Sequence, residues 1–100
     1  MVDAVLPLRF ARSFQVWSYQ VSHQRLVLRS RAGDVEVEFL GVVGMKLRSS
    51  YDSLAITAGG EADALAEVPE HHRGRFRTFT VSDGRHDGFV VCGSVRLRSI

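Results

Sequence analysis

This sequence of 100 residues contains one cysteine and two prolines, and no apolar stretch in it approaches the roughly 20 residues that span a bilayer. With Cys92 as the only cysteine, no internal disulfide can form. The apolar residues around Cys92 predict a buried and inert thiol. Near the N-terminus, Asp3 stands where a signal peptide would carry basic residues. These features exclude a disulfide scaffold and predict a cytoplasmic protein with no membrane segment.

Lysine is also scarce, because the 13 basic residues are twelve arginines and Lys46. This preference indicates either bidentate recognition of phosphate or carboxylate or the codon bias of a bacterial genome rich in G and C. The charges are segregated along the chain. Residues 1–32 hold five arginines against one acid, residues 33–70 two bases against eight acids, and residues 71–100 six arginines against two acids. A net charge of only +2 argues against a dedicated polyanion binder.

Helical periodicity is nearly missing, whereas alternation with a period of two dominates. Hydrophobic residues make up 45% of the chain, which is enough for one core in a single domain covering residues 1–100. The fold class predicted from this pattern is all-β, a single-domain antiparallel β-sandwich or small partly open barrel of about seven strands. The only helix expected is a short one near 61–68, where a loop is the alternative. Besides a central hairpin, the predicted strands are 6–10, 14–21, 54–58, 76–82 and 89–97.

The hairpin over residues 24–40 is the best-determined part of the prediction. A two-residue turn at Ala32 and Gly33 pairs position 29 with 36 and position 27 with 38 on one face, which is charged. The same turn also places Arg31 opposite Asp34. The other face pairs positions 26 with 39 and 28 with 37, all apolar, so that face requires a core. Surface ion pairs across this ladder, such as Arg29 with Glu36, should contribute only a few tenths of a kcal/mol.

The segment from Gly41 to Arg48 contains two glycines three residues apart. In a strand context, this spacing predicts a bulge, a sharp bend or a strand that changes sheets. It lacks the Lys-Ser/Thr ending of a phosphate-binding loop.

Catalytic and metal-binding signals are weak. His23, His71, His72 and His86 all fall in predicted turns, and none has a spacing that converges ligands locally. A metal-dependent hydrolase would require the loops of His71–His72 and His86 to meet in space. No serine lies in a nucleophile motif. The sequence therefore predicts neither a cofactor nor enzymatic activity.

Two binding functions remain. The favoured one is a non-catalytic protein-binding module, of the accessory, inhibitory or immunity type, that acts through a sheet face or edge and can form a homodimer. Large groups on both faces of strand 14–21 support it, with Trp17 and Tyr19 on one face and Phe14 and Val16 on the other. The alternative is single-stranded nucleic-acid binding through strands that bear arginine and phenylalanine. Its candidate residues are Arg73, Arg75, Arg77, Phe79, Arg96 and Arg98.

Overall fold

Eleven strands form two antiparallel sheets in the computed structural model, which describes residues 2–3, 6–59 and 76–99. The prediction of an all-β sandwich is confirmed. Among these residues no helix is long and apolar enough to cross a membrane, and the predicted helix or loop at 61–68 lies outside them. The strands are β1 Val2–Asp3, β2 Leu8–Phe10, β3 Phe14–Gln20, β4 Arg25–Ser30, β5 Val35–Leu40, β6 Gly44–Lys46, β7 Ser50–Tyr51, β8 Leu54–Ala58, β9 Arg77–Ser82, β10 Asp87–Cys92 and β11 Ser94–Ser99.

The two sheets pack their inner faces around one main core. The six-stranded sheet has the order β1-β11-β5-β4-β3-β7, and the five-stranded sheet has the order β2-β8-β9-β10-β6. Alternation along each strand sends every second side chain inward, where burial of a large apolar side chain stabilises the fold by about 1.5–3 kcal/mol. The largest fully buried apolar side chains of this core are Phe14, Leu26, Leu28, Val37, Phe39, Leu54, Ile56, Val81 and Val90.

The hairpin register predicted from the sequence is confirmed for five pairs of β4 and β5, from Arg25 with Leu40 to Arg29 with Glu36. The turn differs from the prediction. The Gly33 amide donates to the carbonyl of Ser30, so Arg31 and the residue after it occupy the centre of the turn, and Gly33 follows with φ 78°. A glycine at this fourth position accepts the left-handed backbone without a Cβ clash.

A β-bulge in β3 overturns the predicted division of its side chains between two faces. The pairing of β3 with β4 shifts between Val16 and Ser18, which leaves Trp17 as an extra residue. Beyond the bulge, Tyr19 pairs with Leu26 and therefore lies on the inner face, as Phe14 and Val16 do. Trp17 lies on the outer face instead, because its ring contacts the outward-facing Arg29.

The predicted strand 89–97 is two strands, because the chain changes sheets at Gly93. β10 belongs to the five-stranded sheet and β11 to the six-stranded sheet. The segment after β5 makes the same change at Gly41, which is one of the three alternatives predicted there. Gly41 has φ 69° and a Cβ placed on it would lie 3.5 Å from the Gly93 amide nitrogen, while that amide donates to the carbonyl of Leu40. The two crossings therefore meet at one corner.

Short edge strands account for most of the difference between about seven predicted strands and the eleven observed. β2, which directly follows Pro7, lies at an edge of the five-stranded sheet, where a proline is tolerated. β7 lies in a stretch for which no strand was predicted, and it brings Tyr51 into the core. Burial of Cys92, also predicted, is confirmed.

Candidate binding surface

The exposed large apolar side chains of the described residues fall on two segments. Three belong to the end of β3 and the 3₁₀ turn that follows it, Val21–His23, one to the crossing that leads into β6, and one to β6 itself. We call these five the apolar rim; their exposed fractions are 53% for Trp17, 38% for Tyr19, 75% for Val21, 41% for Val43 and 39% for Met45.

Backbone hydrogen bonds place the two segments of the apolar rim next to each other. The Val42 amide donates to the carbonyl of Gln24, directly after the 3₁₀ turn, at 2.9 Å. The next amide, of Val43, donates in the opposite direction, to the carbonyl of Val91 in β10. Successive amides along an extended chain alternate in this way. The edge of β6 that faces away from β10 therefore faces the β3–β4 turn.

The end of β3 also presents an unpaired edge. β7 pairs with β3 only at Phe14 and Gln15, and the Val16 amide donates to the carbonyl of Ser49 at 2.9 Å. From Trp17 to Gln20, no strand in the described part of the chain covers this edge. An uncovered strand edge is a template for pairing with another chain.

The outer face of the six-stranded sheet carries ion pairs across its central strands. Arg25 donates from Nε and Nη2 to Oε2 of Glu38, at 2.8 and 2.5 Å. Arg29 Nε lies 3.5 Å from Oε2 of Glu36 without hydrogen-bond geometry, and Arg98 Nη1 lies 4.0 Å from Oε1 of Glu36. We call this set, together with Arg96 in register with Glu38, the charged face.

The charged face is less exposed than the sequence predicts. Glu38 is only 3% exposed and Glu36 only 8% exposed, although both side chains point away from the main core. Long arginine stems cover apolar surface while their guanidinium groups stay solvated. Trp17 adds to this cover, since the Arg29 guanidinium carbon lies 4.6 Å from the centroid of its ring.

The four residues predicted for protein binding separate into two pairs. Phe14 is fully buried and packs against Phe10 with ring centroids 5.0 Å apart, and Val16 packs against the same core. Both side chains are therefore used for packing inside the domain. Trp17 and Tyr19 are exposed, so the candidate surface includes them and excludes Phe14.

The residues of the nucleic-acid alternative do not form one surface among the described residues. Arg77 is exposed at the start of β9, but Phe79 on the same face is 6% exposed and belongs to the core. Arg96 and Arg98 lie on β11 of the other sheet, in register with Glu38 and Glu36. Arg73 and Arg75 lie outside the described residues.

The two described histidines do not come together. His23 is exposed in the 3₁₀ turn, and His86 has its Nδ1 atom 3.6 Å from Oδ2 of Asp83. His71 and His72 lie outside the described residues. Within residues 2–3, 6–59 and 76–99, no three His, Cys, Asp or Glu side chains form a group that could hold a metal ion.

Two side chains of the core, Cys92 and Tyr51, and one of the β9–β10 turn, Asp83, have shifted pKa values. Burial raises the pKa of the Cys92 thiol to about 12, so this thiol is protonated at neutral pH. Burial also raises the pKa of Tyr51, whose hydroxyl oxygen accepts a hydrogen bond from the Arg48 amide at 3.0 Å. The pKa of Asp83 is lowered, because its carboxylate accepts hydrogen bonds from the amides of Arg85 and His86.

An open groove of about 660 Å³ lies on the outer face of the five-stranded sheet. One row across its floor runs from Arg9 through Ala55 and Ser82 to Asp87. The Ser82 hydroxyl donates to Oδ1 of Asp87 at 2.5 Å and accepts from the Gly84 amide. These hydrogen bonds fix the Ser82 side chain between Asp87 and the Gly84 amide.

Sequence reasoning missed three of the five apolar-rim residues. Val21 was assigned to the end of a strand, and Val43 and Met45 to a bend, without any prediction of exposure. A signal was present in β3, whose seven residues include no charge and no proline, the two features that usually protect a strand edge.

Comparison with known proteins finds no matching family model, curated protein or solved structure.

Proposed function

We propose that this protein is a non-catalytic binding module that engages another polypeptide chain through the apolar rim. One observation carries the proposal: the exposed large apolar side chains of the described residues fall on two segments that the Val42–Gln24 hydrogen bond joins. Single exposed apolar residues are ordinary on a protein surface, whereas clusters of them mark interaction sites.

The composition of the apolar rim supports this role. Tryptophan, tyrosine and methionine are enriched in protein interfaces, because each buries a large area on association. Trp17 and Tyr19 also flank the uncovered edge of β3, where main-chain hydrogen bonds with a partner can add to side-chain contacts. Accessory, inhibitory and immunity-type partners commonly act in this way without chemistry of their own.

We also propose that the protein is cytoplasmic. The non-catalytic part of the proposal is supported by two titratable groups. Cys92 is buried, and its raised pKa leaves it unsuited to nucleophilic attack. Asp83 is occupied by hydrogen bonds of its own turn. We attribute the excess of arginine over lysine to a bacterial genome rich in G and C.

Capture of a partner by variants of the apolar rim tests the proposal. The wild-type chain, Val21→Glu and Val43→Glu are each immobilised, exposed to extract of the host cell, and the retained proteins are identified by mass spectrometry. Ala32→Glu is the matched control, because Ala32 is exposed in the distant β4–β5 turn. We expect a protein that the wild type and the control retain and that both rim variants lose. Equal retention by all four chains contradicts the proposal, as does a wild type that retains nothing and remains a monomer.

A second candidate is single-stranded nucleic acid, favoured by one observation. The half-exposed indole of Trp17 lies on the charged face with four arginines, and aromatic groups among cations stack on bases. Trp17 is the only tryptophan, so its fluorescence reports contact directly. Quenching by an oligonucleotide that weakens steeply with added salt would support this function, and unchanged fluorescence would exclude it.

A further inference from the structure

The edge of β3 presents one backbone group whose direction can be derived. The Val16 amide points away from β4, because it donates to Ser49 on the other side. In an antiparallel pair, hydrogen-bonded and non-hydrogen-bonded positions alternate along a regular strand. β4 is regular, and Val16 pairs with Leu28 while Tyr19 pairs with Leu26, two positions further. The amide and carbonyl of Tyr19 therefore also point away from β4, toward the uncovered edge.

We propose that this edge pairs with the same edge of a second copy of the chain, antiparallel, about a two-fold axis at Tyr19. This inference rests on the proposed function and names its partner. Tyr19 of each copy donates its amide to the carbonyl of the other, which closes one hydrogen-bonded pair. Ser18 then lies opposite Gln20 of the second copy, and Trp17 lies beside its Val21.

The side chains along the edge are complementary to themselves. The centre of the edge matches itself across the axis, since Tyr19 meets Tyr19 of the second copy. Ser18 and Gln20, which lie opposite each other across the axis, are both on the outer face of the sheet, because they pair with Val27 and Arg25 there. No residue from Phe14 to Gln20 is charged, so the symmetric contact places no like charges together.

The ends of the edge allow this contact. At one end, Ser49 and β7 cover the positions up to Val16. At the other end, the chain leaves the strand direction at Val21 in the 3₁₀ turn. A second copy paired about Tyr19 therefore turns away opposite Trp17, before its chain reaches Ser49. The paired segment is short, and contacts of the apolar rim add to it.

Charge placed across the proposed axis tests the register. Ser18→Lys with Gln20→Lys places like charges opposite each other twice, whereas Ser18→Lys with Gln20→Glu places opposite charges there twice. The solution mass is measured by light scattering over a range of concentrations, and thermal unfolding confirms that each variant folds. We expect the wild type at twice the chain mass of 11.1 kDa, the Lys/Glu chain as a dimer, and the Lys/Lys chain with a dimer dissociation constant roughly tenfold higher or more.

Amide hydrogen exchange of the wild type is the second measurement, and it does not depend on the variants folding. We expect protection of the Tyr19 amide to rise with protein concentration. Rapid exchange of this amide in a sample that is a dimer by mass overturns the proposal, as does equal dimerisation of both double variants. A wild type that is a monomer at every concentration overturns it too. If that monomer captures a different protein through the apolar rim, the proposed function stands and self-pairing is wrong.

Discussion

The outer faces of the two sheets differ in the side chains that they carry. On the six-stranded sheet, arginines of β4 and β11 lie on both sides of Glu36 and Glu38 of β5. On the five-stranded sheet, one row consists of Thr57, Thr80, Phe89 and Lys46. A second, smaller cluster on that face buries Val91 against Phe76 and Phe89. One face is covered by charges paired across neighbouring strands, whereas the other carries mainly hydroxyls and apolar groups, with charged residues on its outer strands.

This difference shows how the pairing register of each sheet is fixed. A slip of one residue between β4 and β5 would move Glu36 and Glu38 into the core, so the charges exclude that alternative strongly. The five-stranded sheet has no such ladder. Its edge strand β6 is instead fitted closely to β10, because a Cβ on Gly88 would overlap the carbonyl oxygen of Lys46.

The largest effect is expected for Gly88→Ala, which breaks this close fit. The overlapping atom belongs to the backbone, so β6 must shift away from β10. We expect a loss of about 3 kcal/mol in the free energy of unfolding, measured by denaturant titration. Gly44→Ala is the control. Gly44 lies in β6, the strand that pairs with the strand of Gly88, and it has no atom within 4 Å of its Cβ position. Similar losses in both variants would show that close approach is not the cause.

A smaller loss is expected for Arg25→Ala on the charged face. This change leaves the Glu38 carboxylate buried without its cation. Because Arg25 itself is partly exposed, we expect about 2 kcal/mol, below the range for fully buried pairs. Replacing both partners with Arg25→Met and Glu38→Leu should recover most of the loss.

Thr80→Val is the matching change on the five-stranded sheet. It removes a hydrogen bond from Thr80 Oγ1 to the Gly59 carbonyl at an exposed site, and it should cost less than about 1 kcal/mol. A cost equal to that of Arg25→Ala would remove the proposed contrast between the two faces.

Trp17→Ala tests how much the aromatic cover contributes to the stability of the charged face. The substitution removes the ring that Arg29 contacts, and we expect about 1 kcal/mol from this cation–π contact and the lost cover. Denaturant unfolding of Trp17→Ala, of Arg29→Ala and of the double variant, each compared with the wild type, measures the coupling. Fully additive effects would show that the contact contributes nothing.

The smallest effect concerns pH and the turn of the β4–β5 hairpin. Hydrogen bonds from Arg12 and Ser30, each at 2.7 Å, lower the pKa of Asp34 below its ordinary value of 3.8. The unfolded chain therefore binds more protons in this range, and stability is present above about pH 4 and lost as pH falls through the lowered pKa. Asp34→Asn should make the free energy of unfolding less dependent on pH below 4. An unchanged acid slope would contradict this.

Where alternation is strict, the sequence was sufficient to predict structure. Leu26 and Leu28 lie between Arg25 and Arg29, Val37 and Phe39 alternate with Glu36 and Glu38, and only one register buries all four apolar residues. The sheet change at Gly41 was predictable for a similar reason, because glycines interrupt the pattern. These are local signals that tertiary contacts did not alter.

The rest depends on contacts that no local pattern records. Nothing in the letters around Trp17 marks it as the extra residue of a bulge, so the faces of Tyr19 and Trp17 were predicted together and found apart. Asp34 was predicted to face Arg31, but Arg12 reaches it from a distant part of the chain. The exposure of Val43 follows from how the crossing lies against β10, which is likewise a tertiary property.

The corner at Gly41 and Gly93 has a consequence for how the protein unfolds. Two stretches of chain pass from sheet to sheet there, and the Gly93 amide is bonded to Leu40 at the end of β5. Neither sheet can lose its strands at this corner without disturbing the other. The sheets should therefore behave as one cooperative unit rather than as two separable foldons, with a single transition reported alike by probes in either sheet.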